Sequence, residues 1–249
     1  MITAVNRAAV VLFCVLALCG STNGELMSFN TTALQMLMVK KTPFPHIVVK
    51  QFVPPDVLAA VNRDFPPSLA AKVQLHAEGG HKKNLEEAEL AKRGEIFGAF
   101  KQLLNDARSN ELRSIFAQKL GINLRKAFTR ITLRGYCDPC QGKIHVDAKI
   151  KLVSWLIYLE EEPLKGEHEA GNLRLLTGPE LKDTVEVVPS SKGTLLAFKN
   201  SMWPKHGWHG FYPYTGPRRA IQVNYQTELI IPGQKKAPPK KRGRRRYYY

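Results

Sequence analysis

Apolar positions along the chain change period near residue 123. Upstream they recur at threes and fours; downstream they alternate, or run in short blocks between Gly/Pro turns. Pro54-Pro55-Asp56-Val57-Leu58-Ala59-Ala60-Val61 predicts a helix with proline in its opening turn. Leu85 to Leu120 predicts two helical pieces. In the first, Leu85, Ala88 and Leu90 lead to Ile96, Phe97, Phe100, Leu103 and Leu104; in the second, Leu112, Ile115, Phe116 and Leu120 share a face and Gly121 stops the helix. Between these elements, Ala77-Glu78-Gly79-Gly80-His81-Lys82-Lys83-Asn84 is polar and glycine-rich, and reads as a surface loop or a mobile loop near a substrate entrance.

The downstream half predicts β structure. Lys143-Ile144-His145-Val146-Asp147 reads as a strand and Leu156-Ile157-Tyr158-Leu159 as an apolar one. Gly216-Pro217 is turn chemistry leading into the strand Arg218 to Tyr225, which predicts a hairpin with His209 on one arm and Arg218 on the other. Many short strands suit a mainly β fold, a double-stranded β-helix or jelly roll, with the N-terminal helices buttressing one sheet. The chain is long enough, at 249 residues, for one sizeable domain, and its 44% apolar and 23% charged residues are ordinary for a globular protein. The division expected is 27–122 helical and 123–230 β, flanked by an N-terminal segment 1–26 and a tail 231–249.

The candidate chemistry lies in the β half. Residues two apart on a strand point the same way, so His145 and Asp147 can reach one ion together. Two histidines and one carboxylate can occupy one face of an Fe(II) ion and leave the opposite face open. His209 offers the third ligand, and a guanidinium nine residues on, Arg218, suits a ligand with two anionic ends. An H-x-D triplet alone is common; the downstream pieces add specificity.

Six pieces in order resemble the 2-oxoglutarate/Fe(II)-dependent dioxygenases, in the prolyl-hydroxylase-like branch. They are Arg134-Gly135-Tyr136, the His145/Asp147 triplet, Leu156-Ile157-Tyr158-Leu159, Gly171-Asn172-Leu173-Arg174-Leu175, the run from Val187-Val188-Pro189 to Gly193-Thr194-Leu195-Leu196-Ala197-Phe198, and His209 with Pro213 and Arg218. Thr42-Pro43-Phe44-Pro45-His46-Ile47-Val48-Val49 with Phe65-Pro66-Pro67 is similar to the start of bacterial members.

The resemblance implies that His145, Asp147 and His209 bind iron. It implies that Arg218 pairs with the distal carboxylate of 2-oxoglutarate, that Tyr158 donates a hydrogen bond to it, and that Tyr136 lines the co-substrate or substrate pocket. O2 is then the oxidant, with ascorbate as an accessory reductant. An aspartate ligand fits hydroxylation, because a small residue there leaves a position for halide. His206 competes with His209, and Arg219 with Arg218; the family spacing favours His209 and Arg218. Ala220 departs from relatives that carry a hydroxyl residue two after the arginine. The implied substrate is a peptidyl prolyl or other residue, or a small metabolite. Rival readings are a nucleic-acid oxidative demethylase, a cupin-like zinc or manganese enzyme that needs neither Arg218 nor 2-oxoglutarate, and a non-catalytic jelly-roll binding module.

Charge and cysteines change this picture little. The net charge is +16, and the eight Lys/Arg between Gly233 and Tyr249 account for half of it. This low-complexity tail reads as a solvated segment, or as one that contacts nucleic acid or an anionic surface. Arg7, the apolar run Ala8 to Cys19 and Gly20-Ser21-Thr22-Asn23-Gly24 have the form of a signal peptide, and the run is shorter than the roughly 20 residues a bilayer needs. The alternative start, Met27-Ser28-Phe29-Asn30, looks like that of the bacterial relatives and implies the cytoplasm; a true leader implies secretion or the endoplasmic-reticulum lumen. Cys137-Asp138-Pro139-Cys140 lacks the second pair a zinc site needs, and reads as two free thiols in preference to a reversible disulfide.

Overall fold

The computed structural model describes residues 28–71, 82–85, 87–165, 167–200 and 207–228. The expected leader 1–26 and tail 231–249, with His81 and His206, lie outside them. The helices are α1 (Thr31–Met36), α2 (Pro55–Arg63), α3 (Pro67–Ala70), α4 (Glu87–Lys92), α5 (Gly98–Ala107) and α6 (Asn110–Leu120). The strands are β1 (His46–Val49), β2 (Lys82–Leu85), β3 (Phe128–Cys140), β4 (Lys151–Tyr158), β5 (Leu173–Leu176), β6 (Thr184–Val188), β7 (Leu195–Lys199), β8 (Trp208–Gly210) and β9 (Tyr214–Gln226). They pair antiparallel into a six-stranded sheet, β1-β7-β4-β9-β3-β2, and a three-stranded sheet, β6-β5-β8. The result is a jelly-roll-like pair of sheets with helices against one outer face.

Alternation along the large sheet's strands explains two cores. One set of side chains, among them Ile47, Val49, Leu133, Trp155, Ile157, Ile221 and Val223, packs against Leu58, Val61, Leu69, Phe100, Leu103 and Phe116 of the helices. The other set, with Leu156, Tyr158, Leu196, Phe198 and Ala220, faces Leu173, Leu175 and Val188 of the small sheet. Trp155 anchors the first core, edge-on to Phe29 at 6.5 Å and 5.3 Å from Phe116. Truncating a buried aromatic of this size costs about 3–5 kcal/mol.

The helices follow local chemistry. The α6 face Leu112, Ile115, Phe116 and Leu120 is buried; Ser109 caps its start by accepting from the Leu112 N–H, and Gly121 ends it at φ 58°. Pro55 opens α2 where no amide donor is needed. Phe97 departs from the periodic reading, because it precedes α5 in extended backbone and is 48% exposed.

Four expectations change. The predicted hairpin does not form: His209 on β8 belongs to the small sheet and Arg218 on β9 to the large one, so the Phe211–Tyr212–Pro213 link crosses between sheets. Gly216 and Pro217 lie within β9 at a register shift, where an irregular strand tolerates them. The Lys143–Asp147 segment is not a regular strand; it makes one bridge, in which the His145 and His209 N–H groups each donate 3.0 Å to the other's carbonyl.

Lys82 to Asn84, expected in a loop, belong instead to β2 at the free edge of β3. Edge pairing uses backbone groups and leaves little hydrophobic signature. Cys137 and Cys140 are a disulfide rather than two thiols. Strand β3 shifts register against β9 between these two residues, and this irregularity brings two side chains three apart together in the inner core.

Candidate metal centre

The bridge between His145 and His209 puts their rings 4.3 Å apart. Asp147, two residues beyond His145, turns the same way, and one ligand atom from each of the three side chains lies within 4.8 Å of the others. His209 and Asp147 are buried and His145 is exposed, so the cluster is open on one side. Both histidines are oriented alike: Nδ1 of His145 lies 2.9 Å from the Lys143 carbonyl, and Nδ1 of His209 lies 2.7 Å from that of Gly207. A carbonyl only accepts, so Nδ1 carries the proton and Nε2 keeps its lone pair. Burial pushes the His209 pKa down to about 4, with Asp147 opposing and His145 reinforcing the shift. The ring is therefore neutral, and able to ligate, at physiological pH.

Asp147 is held from both sides. Lys151 Nζ donates to Oδ1 at 2.5 Å and Ser154 Oγ to Oδ2 at 2.5 Å. The Asn224 side-chain amide is 2.8 Å from the same hydroxyl. Burial alone would raise the Asp147 pKa, but His209, Lys151 and the Lys151 and Ser154 hydrogen bonds outweigh it and hold it below the ordinary carboxylate value. Two imidazoles and an ionised carboxylate with one open side suit a divalent metal. Sequence reasoning missed Lys151, Ser154 and Asn224. Their signal was polar residues at alternate positions of otherwise apolar strands, a pattern that ordinarily marks a solvated face.

Register places the remaining residues on the inner face of the large sheet. Ser154, Leu156 and Tyr158 of β4 lie opposite Asn224, Gln222 and Ala220 of β9, and Gln222 and Ala220 lie opposite Thr132 and Arg134 of β3. Arg218 and Tyr136 follow at the end of this grid, and Tyr136 is only partly buried. Arg218 is 2% exposed. Its Nε donates to the Gly171 carbonyl at 2.7 Å, and its guanidinium lies 4.2 Å from the Phe211 ring centre and 5.5 Å from that of Tyr158.

Gly171 has φ 83°, and a Cβ there would come within 2.8 Å of Leu164 and 2.9 Å of Tyr214, so the site demands glycine. Among the described residues no carboxylate forms an ion pair with Arg218. Burial pushes its pKa down, with Tyr158 opposing. The Tyr158 hydroxyl is buried without a hydrogen-bond partner, and burial raises its pKa against the pull of Arg218. An unpaired buried cation beside an orphaned hydroxyl fits an anionic end group. The Ser190 hydroxyl, 3.5 Å from the Arg218 guanidinium, is a further group that sequence reasoning missed.

Arg219 faces the other way, as alternation requires. Its backbone N–H donates to Glu160 at 2.8 Å and its guanidinium to Asn62 at 3.0 Å.

No family model and no curated protein sequence matches the chain. Solved structures similar to it include a Pseudomonas putida prolyl-4-hydroxylase (18% identical, covering 73% of this chain and 92% of that one, TM-score 0.47). A Trichoplax adhaerens prolyl hydroxylase, in complex with a peptide fragment of the hypoxia inducible factor oxygen degradation domain, is 15% identical over 73% of this chain and 83% of its own, with TM-score 0.49. The chain is also similar to a viral collagen prolyl hydroxylase from Paramecium Bursaria Chlorella virus-1, in its 2OG complex, at 13% identity over 72% of this chain and 94% of that one, with TM-score 0.43.

Proposed function

We propose that this chain is an Fe(II)- and 2-oxoglutarate-dependent dioxygenase that hydroxylates an unactivated C–H bond of a peptide residue or small metabolite, on a double-stranded β-helix. One observation carries the reading: the His145/Asp147/His209 cluster is tied through Ser154 to the inner face of the large sheet, the face that also carries a buried Arg218 with no carboxylate partner among the described residues. A zinc or manganese enzyme without a dicarboxylate co-substrate gives Arg218 nothing to bind, and a binding module gives the ligand-ready triad no task.

His145, Asp147 and His209 would hold iron, and Arg218 with Tyr158 would hold the distal carboxylate of 2-oxoglutarate. When bound, this pair activates O2 for insertion of oxygen into a C–H bond, with release of succinate and carbon dioxide. The chain's own residues do the rest. The Lys143 and Gly207 carbonyls aim the two Nε2 atoms, while Lys151 and Ser154 fix the carboxylate plane. Leu156, Leu196 and Phe198 of the inner core keep the neighbouring sheet face apolar.

The test is anaerobic titration of 2-oxoglutarate into Fe(II)-loaded protein, following the visible absorption of the chelate, beside Asp147→Ala. Absorption in the parent that is lost in the variant is expected. A folded parent that binds no iron and develops no absorption refutes the reading.

A further inference from the structure

The inner face of the large sheet holds a second cation that the metal and co-substrate leave unused. Arg134 on β3 lies across Ala220 from Tyr158, so an alanine methyl separates its side chain from the co-substrate wall. Its guanidinium reaches Gln222, its Nε is buried with no acceptor, and among the described residues no carboxylate forms an ion pair with it. Burial and the nearby Arg218 depress its pKa to about 10, while Tyr158 and Asp147 oppose that shift. The residue cannot swing outward by flipping the strand. Its neighbour Gly135 abuts α3, where a Cβ would stand 1.9 Å from the Leu69 carbonyl oxygen.

Charge balance separates co-substrate from substrate. A divalent ion and Arg218 offset Asp147 and the two carboxylates of 2-oxoglutarate. Arg134 is then left over, and Lys151 adds to the excess rather than cancelling it. A part-buried cation with a buried, open Nε donor calls for an anion.

We infer, building on the dioxygenase reading, that Arg134 recognises the primary substrate and that this substrate carries an anionic group, a carboxylate or a phosphate, within reach of the metal. A prolyl or other neutral residue inside a peptide, whose carboxyl is an amide, lacks that group. The substrate class is therefore an acid, and Arg134 is a specificity residue rather than a second co-substrate clamp.

The test uses the full chain loaded with Mn(II), a paramagnetic ion for the same ligand set, and with saturating 2-oxoglutarate. Acetate and inorganic phosphate are the probes, and the paramagnetic relaxation of the acetate protons and phosphate phosphorus is measured as each is titrated. Saturable relaxation is expected for one probe in the parent. In Arg134→Gln that probe should bind at least about tenfold more weakly, with partial recovery in Arg134→Lys, the charge-retaining control for folding. The 2-oxoglutarate dissociation constant should stay within about threefold in both variants. Preference for acetate assigns a carboxylate substrate, and preference for phosphate a phosphorylated one. Relaxation indifferent to Arg134→Gln overturns the inference, and so does a tenfold loss of 2-oxoglutarate affinity, which would return Arg134 to the co-substrate. A parent that binds neither Mn(II) nor 2-oxoglutarate instead removes the dioxygenase reading beneath it.

Discussion

Arg218→Met separates a functional cation from a structural one. In the ligand-free protein the guanidinium is 2% exposed, with a 2.7 Å hydrogen bond to the Gly171 carbonyl, a long 3.5 Å one to the Ser190 hydroxyl, and ring contacts to Phe211 and Tyr158. Methionine keeps most of the volume and both ring contacts. It loses the Gly171 bond, which costs about 1–3 kcal/mol, and it removes the burden of an uncompensated buried charge, which works in the opposite direction. The two nearly cancel, so the ligand-free variant should unfold within about 1 kcal/mol of the parent.

Ligand reverses this parity. A carboxylate paired with a buried guanidinium loses about 3–5 kcal/mol when the partner is removed, or roughly 150-fold to several thousandfold in affinity. At 2-oxoglutarate about 100 times its dissociation constant, the metal-loaded parent gains about 2.7 kcal/mol. For a domain of this size that raises Tm by about 5–10 °C. The variant at the same concentration should show almost no shift. Differential scanning fluorimetry with and without 2-oxoglutarate, under nitrogen, reads both quantities. A variant that keeps the parent's ligand-induced shift refutes the clamp, and a ligand-free variant that falls by several kcal/mol makes Arg218 a structural residue.

Three further outcomes are expected. Ser154→Ala removes one hydrogen bond from Asp147 while leaving the triad in place, so metal affinity should fall about 10–100-fold by competition with a chelator, with about 1–3 kcal/mol of unfolding stability lost. In the metal-free protein, His209 has a folded pKa of about 4 against an unfolded value near 6.5, so the unfolded state binds more protons between those values. Stability should therefore fall by about 3 kcal/mol as pH drops from 6.5 to 4, and urea unfolding of His209→Gln should lack that share of the slope. Arg219→Ala should cost at most about 1 kcal/mol and leave 2-oxoglutarate affinity unchanged by calorimetry, because its ion pair with Glu160 is partly exposed and faces away from the cavity.

Several elements could be read from local pattern because their causes are local. The α6 face, its serine cap and its Gly121 stop lie within a dozen residues, and each acts on its own turn. His145 and Asp147 are two apart in extended backbone, so their common direction follows from geometry alone. The choice of Arg218 over Arg219 rested on family spacing, and alternation along β9 then sends one inward and one outward.

Sequence by itself thus determined local features: the α2 start, the α6 face with its stop, which ligand types recur at which spacing, and that adjacent arginines diverge. It did not mark α1 or α3, and it read the end of β2, α4 and α5 as one helical piece from Leu85 to Leu104. Tertiary structure alone decided which strand neighbours which. It separated His209 and Arg218 onto facing sheets rather than one hairpin, and it added β2 to an open edge through backbone hydrogen bonds that any side chains permit. It closed Cys137 onto Cys140 at a register shift. It also gathered Ser154, Asn224, Lys151 and Arg134 around the site from three strands. In sequence these are isolated polar residues, and an inward-facing polar residue carries the same alternation as an outward-facing one. Only long-range pairing fixes which side of the strand becomes the inside.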